Sequence, residues 1–214
     1  MDYLLEVAQY LTKGAFVSLS VFLVTLVFSF PIGLILSMLQ RKNKIIKRAI
    51  SIYTWFFRGT PLMLQLFFFM YGLPFIGINV NRMMVAFIAF VINYSAYFVE
   101  IIRAGIESLP KDQFESASMM GATSYQTYRH IILPQAIRIQ FPVISSEVIT
   151  LIKDTALVTV IAITDLMRGV KEIVSRDFTI SPFILASAFY LLISYVIVKL
   201  FKRLEKRFDY LELN

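Results

Sequence analysis

Glu115-Ser-Ala-Ser-Met-Met-Gly121, running on to Ile131-Ile-Leu-Pro134, is the one polar, patterned block of any length in an otherwise mostly apolar chain. Asp112, three residues before Glu115, reads as a helix start, with the Asp as N-cap and the Glu reaching back. Gln113 to Met120 then makes about two helical turns. Gly121 supplies the left-handed residue that commonly ends a helix. Ser124 caps a second short helix through about Ile132, and Pro134 stops it. The pattern predicts a compact helix–Gly–helix elbow over about residues 111–134. By itself it is either a loop joining hydrophobic segments or a docking element, and its surroundings decide between them.

Those surroundings are membrane-like. The 214 residues are 58% hydrophobic and only 16% charged, against about 25% charge in a soluble domain. The charge falls in short basic clusters between long apolar runs. A net charge of +7 invites a nucleic-acid reading, but the aromatic residues sit inside the apolar runs, not on a basic surface stripe. The basic excess therefore reads as topology. Without cysteine there are no disulfides and no thiolate metal ligands. The single His130 cannot anchor a His-based metal site and reads as a surface residue of the elbow. No cleavable signal peptide is expected, because the N-terminus lacks a basic n-region and its first apolar run is too long.

Taken in order, residues 1–13 form an amphipathic stretch expected at the membrane interface. Gly14 to Gln40 carries no charge over about 27 residues, enough for one tilted span that contains Pro31 and Gly33. The cluster Arg41-Lys42-Asn43-Lys44, with Lys47 and Arg48, follows. A second span is expected from near Ile52 to near Tyr71, with Gly72 to Asn79 as loop. The third covers about Met83 to Gly105 and the fourth about Ile139 to Ile163. A charged external loop (165–177) leads to the fifth, about Phe178 to Val198, and a basic tail (Lys199, Lys202, Arg203, Lys206, Arg207). Placing the cluster at 41–48 in the cytoplasm puts most Lys and Arg inside. The expectation is an all-α integral membrane protein: five transmembrane helices, N-terminus outside, C-terminus and elbow inside, one domain over 1–214.

Ionisable residues inside spans are costly and face a bundle interior or a watery path. Asn93 and Glu100 lie seven apart on one face of span three, and Glu147 and Asp154 repeat that spacing on span four. With Lys153 they either line a shared polar path or pair with one another or Arg103 to hold helices together. Acids outnumber the one deep lysine, which favours a cationic group on any ligand. Lys153 and Asp154 sit about 100° apart on their helix and cannot face one partner equally. In Arg58-Gly-Thr-Pro61, Gly59 and Pro61 either break the helix and free backbone groups, as at transporter binding sites, or simply start a helix with Pro at N1. No G-x-x-x-x-G-K-[ST] loop, G-x-S-x-G elbow or H-E-x-x-H motif is present, so neither ATP hydrolysis nor other catalysis is expected of this chain.

The elbow resembles the motif of permease subunits of bacterial ATP-binding cassette importers: E-A-A, three residues, G, nine residues, I-x-L-P. Here it reads Glu115-Ser116-Ala117, Gly121, Ile131, Leu133, Pro134, every spacing in place, with Ser116 for the first Ala. Arg58-Gly-Thr-Pro61-Leu62, Gln65, Asn93, Ala96-Tyr97, Glu100-Ile101, Arg103-Ala-Gly105-Ile106, Leu133-Pro-Gln-Ala136, Arg138 and Lys153-Asp-Thr155-Ala-Leu157 are similar to the polar amino-acid uptake subfamily. Asp112 where that family has Gly, and Ala156 where it often has Ser, are departures. The resemblance covers roughly residues 14–200.

It implies half of a two-fold pore in the bacterial cytoplasmic (inner) membrane, paired with a second permease copy, identical or closely homologous. Glu115, Ala117, Gly121, Leu133 and Pro134 would form the coupling helix that meets a separate ATPase subunit. ATP and Mg would be bound there, with no cofactor in this chain. A solute-binding protein would deliver an amino acid from outside. Asn93, Glu100, Glu147, Lys153, Asp154 and Thr155 are the candidate pathway residues, and the acids point to a basic amino acid such as arginine or histidine. The competing reading is a stand-alone secondary transporter or channel, for which five spans are few and no inverted repeat is visible.

Overall fold

The computed structural model describes residues 2–208, and all described elements are helical. Met1 and residues 209–214 of the expected 1–214 domain lie outside the described residues, as do the side chains of Asp2, Leu4, Arg207 and Phe208. Helix α1 spans Asp2–Leu39, α2 Lys44–Gly59, α3 Leu62–Phe75 and α4 Arg82–Glu107. The elbow holds α5 (Asp112–Met119) and α6 (Ser124–Thr127), and continues through a π-helical turn, Tyr128–Ile132, into α7 (Leu133–Ile139). Helix α8 (Phe141–Asp154) passes into a 3-10 segment, Thr155–Ile161, followed by α9 (Leu166–Asp177) and α10 (Ser181–Phe208).

Among the described residues, three helices are long and apolar enough to cross a membrane: Leu5–Leu39, Arg82–Glu107 and Ser181–Lys206. The expected second and fourth spans are not single helices. The second is divided at Thr60-Pro61 between α2 and α3, and the fourth changes from α-helix to 3-10 helix at Thr155. The expected loop after Tyr71 begins later, since α3 runs through Gly72 and Pro74 to Phe75 and turns at Gly77, where φ is +82°. The amphipathic stretch at the N-terminus is no separate element but the first turns of α1.

Helix α4 is the axle, packing against α1, α2, α3, α7 and α8. Its fully buried Phe90, Tyr94 and Phe98 join Val21, Leu66, Val148 and Leu151 in the main core. Lipid is as apolar as leucine, so close packing rather than water exclusion joins such helices. Helix α1 meets that demand with small buried residues every four positions, Thr25, Ser29, Gly33 and Ser37, on one face. A Cβ on Gly33 would lie 2.5 Å from the Phe98 Cβ, so only glycine allows this approach.

The charged segment 165–177, expected as a loop, is helix α9. Leu166, Val170 and Ile173 at i, i+4 and i+7 form a buried face with Gly169 between them. Asp165 caps the helix, accepting from the Met167 and Arg168 amides at 3.1 Å each. Outside that buried face, Tyr10 donates to Glu172 at 2.7 Å and Tyr3 to Asp177 at 2.8 Å, tying α9 to the start of α1.

Candidate functional site

The break between α2 and α3 sets up the polar centre. Pro61 has no N–H, so the Phe57 carbonyl four residues before it loses its helical partner. An unpaired buried carbonyl is costly, and two side chains fill the gap. Gln65 Nε2 donates to it at 2.9 Å and Asn93 Nδ2 at 2.8 Å. Gln65 also reaches the Thr60 carbonyl and hydroxyl, and its own Oε1 accepts from Asn93 at 3.0 Å. Asn93 and Gln65 are both buried. Of the two readings of Gly59–Pro61, the structure takes the broken helix, but the freed carbonyl is already satisfied from within the chain.

Two turns further along the same face of α4, Glu100 is fully engaged. Thr54 Oγ1 donates to it at 3.0 Å, Arg103 donates through two guanidinium nitrogens at 2.6 and 3.0 Å, and Arg58 lies 3.7 Å away. Arg103 reaches on to Glu107 at 2.6 Å. Arg58 also lies over the Tyr97 ring, 5.4 Å from its centre. Glu100 thus sits in a charge ladder that joins α2 to α4.

Helix α8 carries the other acids. Asp154 is its last residue, the end where the helix dipole disfavours negative charge. The Tyr94 hydroxyl donates to it at 2.7 Å. Glu147, two turns back and half-buried, has no hydrogen-bond or ion-pair partner among the described residues, and the charges that reach it are Asp154 and Arg58. Lys153 is exposed, and its side chain makes no hydrogen bond or ion pair among the described residues. Thr155 is fully buried and donates to the Ile152 carbonyl at 2.7 Å, which commits its hydroxyl to the backbone. The six candidate residues therefore fall into three groups: Asn93 in the Gln65 network, Glu100 in the ladder, and Glu147 beside Asp154. Lys153 and Thr155 join none of these groups.

The elbow departs from its expected capping while keeping its shape. Lys111, not Asp112, is the N-cap of α5, and no side chain caps that end; Asp112 is the first helical residue. Gly121 has φ +76°, the left-handed conformation expected of it. The second helix is capped by Thr123, one residue before Ser124, in a reciprocal box with Gln126. Pro134 does not end it. The π-helical turn shifts the backbone bonding, with the Leu133 N–H reaching the Tyr128 carbonyl, and Pro134 then enters the first turn of α7, where a missing N–H costs nothing.

The elbow rests on a buried cluster of Ile102, Ile106, Leu109, Ile132, Leu133 and Ala136. Gln113 and Gln135 exchange amide hydrogen bonds at 2.8 and 3.1 Å across it. Arg41 stands over the rings of Phe114 and Tyr128, at 5.6 and 5.2 Å. Ala117 and Leu133 are buried and Pro134 half-buried, whereas Glu115, Gly121, Met119 and Met120 face outward, both methionines 89% exposed. Gln65 and Tyr94, which complete the polar centre, were not among the candidates, although Gln65 lay in the quoted pattern. Nothing local pointed to Thr54 or Arg41 as partners.

Among the described residues, no group of three or more His, Cys, Asp or Glu could hold a metal ion. Residues 29–210 match the family described as binding-protein-dependent transport system inner membrane component. A putative glutamine transport system permease protein of Rickettsia conorii is 32% identical, with 92% of each chain covered. A histidine/lysine/arginine/ornithine transport system permease protein of Salmonella typhimurium is 38% identical over 77% of this chain and 75% of that one. A crystal structure of an amino acid ABC transporter with histidines matches with a TM-score of 0.86 and 31% identity, over 96% of this chain and 97% of that one. The chain belongs to this family of inner membrane components, the permease subunits of ATP-binding cassette amino-acid transporters.

Proposed function

We propose that the chain is the pore-forming permease subunit of an ATP-driven importer for a basic amino acid such as arginine or histidine, in a bacterial inner membrane. Its five crossings are α1, the broken α2–α3 pair, α4, α8 with its 3-10 extension, and α10, with the N-terminus outside and the elbow inside. Two permease copies form the pore, and a solute-binding protein supplies it. The elbow is the coupling helix: α5 presents Glu115, Met119 and Met120 to a cytosolic ATPase subunit, which holds the ATP and Mg. Gly121 shapes that surface, and Ala117, Leu133 and Pro134 fix it to the bundle. A rigid elbow seated on α4 carries rigid-body motion into the spans.

The observation that carries the substrate reading is Glu147. It is the half-buried acid left without a partner, two turns before Asp154, whose second oxygen also accepts no hydrogen bond among the described residues. A guanidinium or imidazolium offers the donors this pair lacks. The relatives' own names divide between glutamine, cystine and basic amino acids, and the free acid favours the last. Asn93 and Glu100 serve this site by fixing the α2–α4 wall, and Lys153 and Thr155 by flanking Asp154. The test is uptake by proteoliposomes holding the chain, its ATPase subunits and its binding protein. Arginine or histidine should enter only with internal ATP and Mg. Preferential uptake of glutamine or cystine would remove the substrate assignment, and uptake driven by an ion gradient without the ATPase would remove the importer reading.

A further inference from the structure

The outward faces of the long helices are not alike. Val27 and Phe28 on α1, Phe68 on α3, and Leu191 and Leu192 on α10 are exposed and apolar, which suits lipid. On α8 the exposed residues include Val143, Ser146 and Lys153, with Thr150 half-buried between them. Lys153 makes no hydrogen bond or ion pair among the described residues. It stands about three turns from the start of α8 and about two and a half from the end of the 3-10 segment. An ammonium at that depth is costly against lipid, so this face of α8 meets something polar.

Helical geometry says what fits there. Ser146 and Thr150 lie about opposite the buried Ile144, Val148, Leu151 and Ile152. Both are small, and their hydroxyls are committed to the Pro142 and Ser146 carbonyls at 3.1 Å each, so another helix can approach closely. Lys153 stands about 40° to one side of the Ser146–Thr150 seam and Asp154 about 60° to the other. Tyr94 donates to one oxygen of Asp154 at 2.7 Å, and the other accepts no hydrogen bond among the described residues. Two copies of one chain insert in a membrane the same way up, so their two-fold axis runs along the membrane normal and their α8 helices run parallel. Parallel helices packed on such a seam set the residue on one flank opposite the residue on the other flank of the neighbour. Lys153 and Asp154 differ in depth by only about 1.5 Å, so the match holds in height as well. We propose that α8 packs along Ser146 and Thr150 against α8 of a second copy of this chain, with Lys153 of each copy paired to Asp154 of the other. This rests on the membrane-spanning, two-copy reading above. Glu147, two turns nearer the start of α8, stays open, so a cationic solute held there competes with the partner subunit's Lys153 for Asp154.

The test uses the assembled transporter, with two differently tagged versions of this chain expressed together. One carries Lys153→Asp and the other Asp154→Lys. Two copies of the same version meet like charges twice, whereas a mixed pair restores both attractions. The ratio of mixed to like pairs should exceed that of tagged wild-type chains by about tenfold. An unchanged ratio, which a role for Lys153 within its own chain predicts, would overturn the proposal, as would wild-type copies that never co-purify. A second measurement needs no charge reversal and decides the matter if the reversed chains fail to accumulate. The chain has no cysteine, so Thr150→Cys, facing its own copy across the axis, should be joined into a dimer by a short bismaleimide. Phe68→Cys, on the exposed apolar face of α3, should not. No dimer from Thr150→Cys, or one from Phe68→Cys instead, would overturn the contact. Neither readout involves solute: glutamine uptake by a transporter that passes both tests would remove the substrate assignment and leave this contact standing.

Discussion

The elbow and the polar centre of the bundle treat their polar residues in opposite ways. In the elbow, the residues that hold it in place are apolar or locked in pairs, such as Ile132, Leu133 and the Gln113–Gln135 exchange. Its motif residues Glu115 and Gly121 stand free on the surface. In the centre, the motif residues are themselves the structure: Asn93 repairs the carbonyl left by Pro61, and Glu100 ties α2 to α4. Within a membrane a polar side chain that finds a partner joins helices, and one that does not is available for a ligand. By that criterion Glu147 is the outlier of the centre.

Two glycines test the elbow side with the largest expected effect. A Cβ on Gly105 would lie 2.6 Å from the Ala136 carbonyl oxygen, where α4 meets the elbow's base. Gly105→Ala should therefore destabilise by about 1–3 kcal/mol and loosen the elbow from α4. A Cβ on Gly121 would meet nothing within 4 Å, and only its φ of +76° resists a side chain. Gly121→Ala should cost about 1–2 kcal/mol and Gly121→Asn less, since Asn visits the left-handed region more readily. Thermal unfolding of the purified variants orders the three. Equal losses from Gly105→Ala and Gly121→Ala would erase the distinction between a packed base and a free surface.

The centre is tested by Gln65→Leu. It removes the three hydrogen bonds that Gln65 donates to the break after Gly59 and the one it accepts from Asn93, leaving Asn93 as the remaining side-chain donor on the Phe57 carbonyl. A loss of about 1–3 kcal/mol is expected, with the ATP-dependent uptake of the surviving folded protein retained. A fully stable variant would mean that the break needs no internal repair.

Much of this was legible beforehand, for stated reasons. Long uncharged runs identified α1, α4 and α10, because length and apolarity are enough to define a spanning helix. Period-seven spacing placed Asn93 with Glu100 and Glu147 with Asp154, because helical geometry fixes a face. It could not say which face residues are paired, since Thr54, Arg58 and Tyr94 come from distant parts of the chain. Pro134 carries the pattern of a helix stop yet enters α7, because the π-helical turn before it leaves no local signature. The segment 165–177 has the charge of a loop but folds as a helix, because its charges mask the i, i+4, i+7 face of Leu166, Val170 and Ile173.

The smallest effect is expected at the α1–α9 clasp, away from both regions. Hydrogen bonds from Arg176 and then Tyr3 hold the Asp177 carboxyl down to about 2. A depressed carboxyl pKa contributes stability that is present above the unfolded value and lost as pH falls through the folded one. Tyr3→Phe should therefore lower the thermal midpoint by about one degree or less, equally from pH 5 to 8. The difference should shrink only as pH drops below about 4. A difference that varied with pH between 5 and 8 would point to another titrating group.

The most direct test sets the free acid against the paired one in a single assay: ATP-dependent arginine uptake and thermal stability of Glu147→Gln and Glu100→Gln in the reconstituted complex. Glu147→Gln should keep the thermal midpoint and lose uptake by about tenfold or more, the scale of one charge-assisted hydrogen bond. Glu100→Gln should lower the midpoint, because Arg58 and Arg103 lose their carboxylate. Unchanged uptake in Glu147→Gln, with the loss falling on Glu100→Gln without any loss of stability, would reverse the two roles and contradict the account.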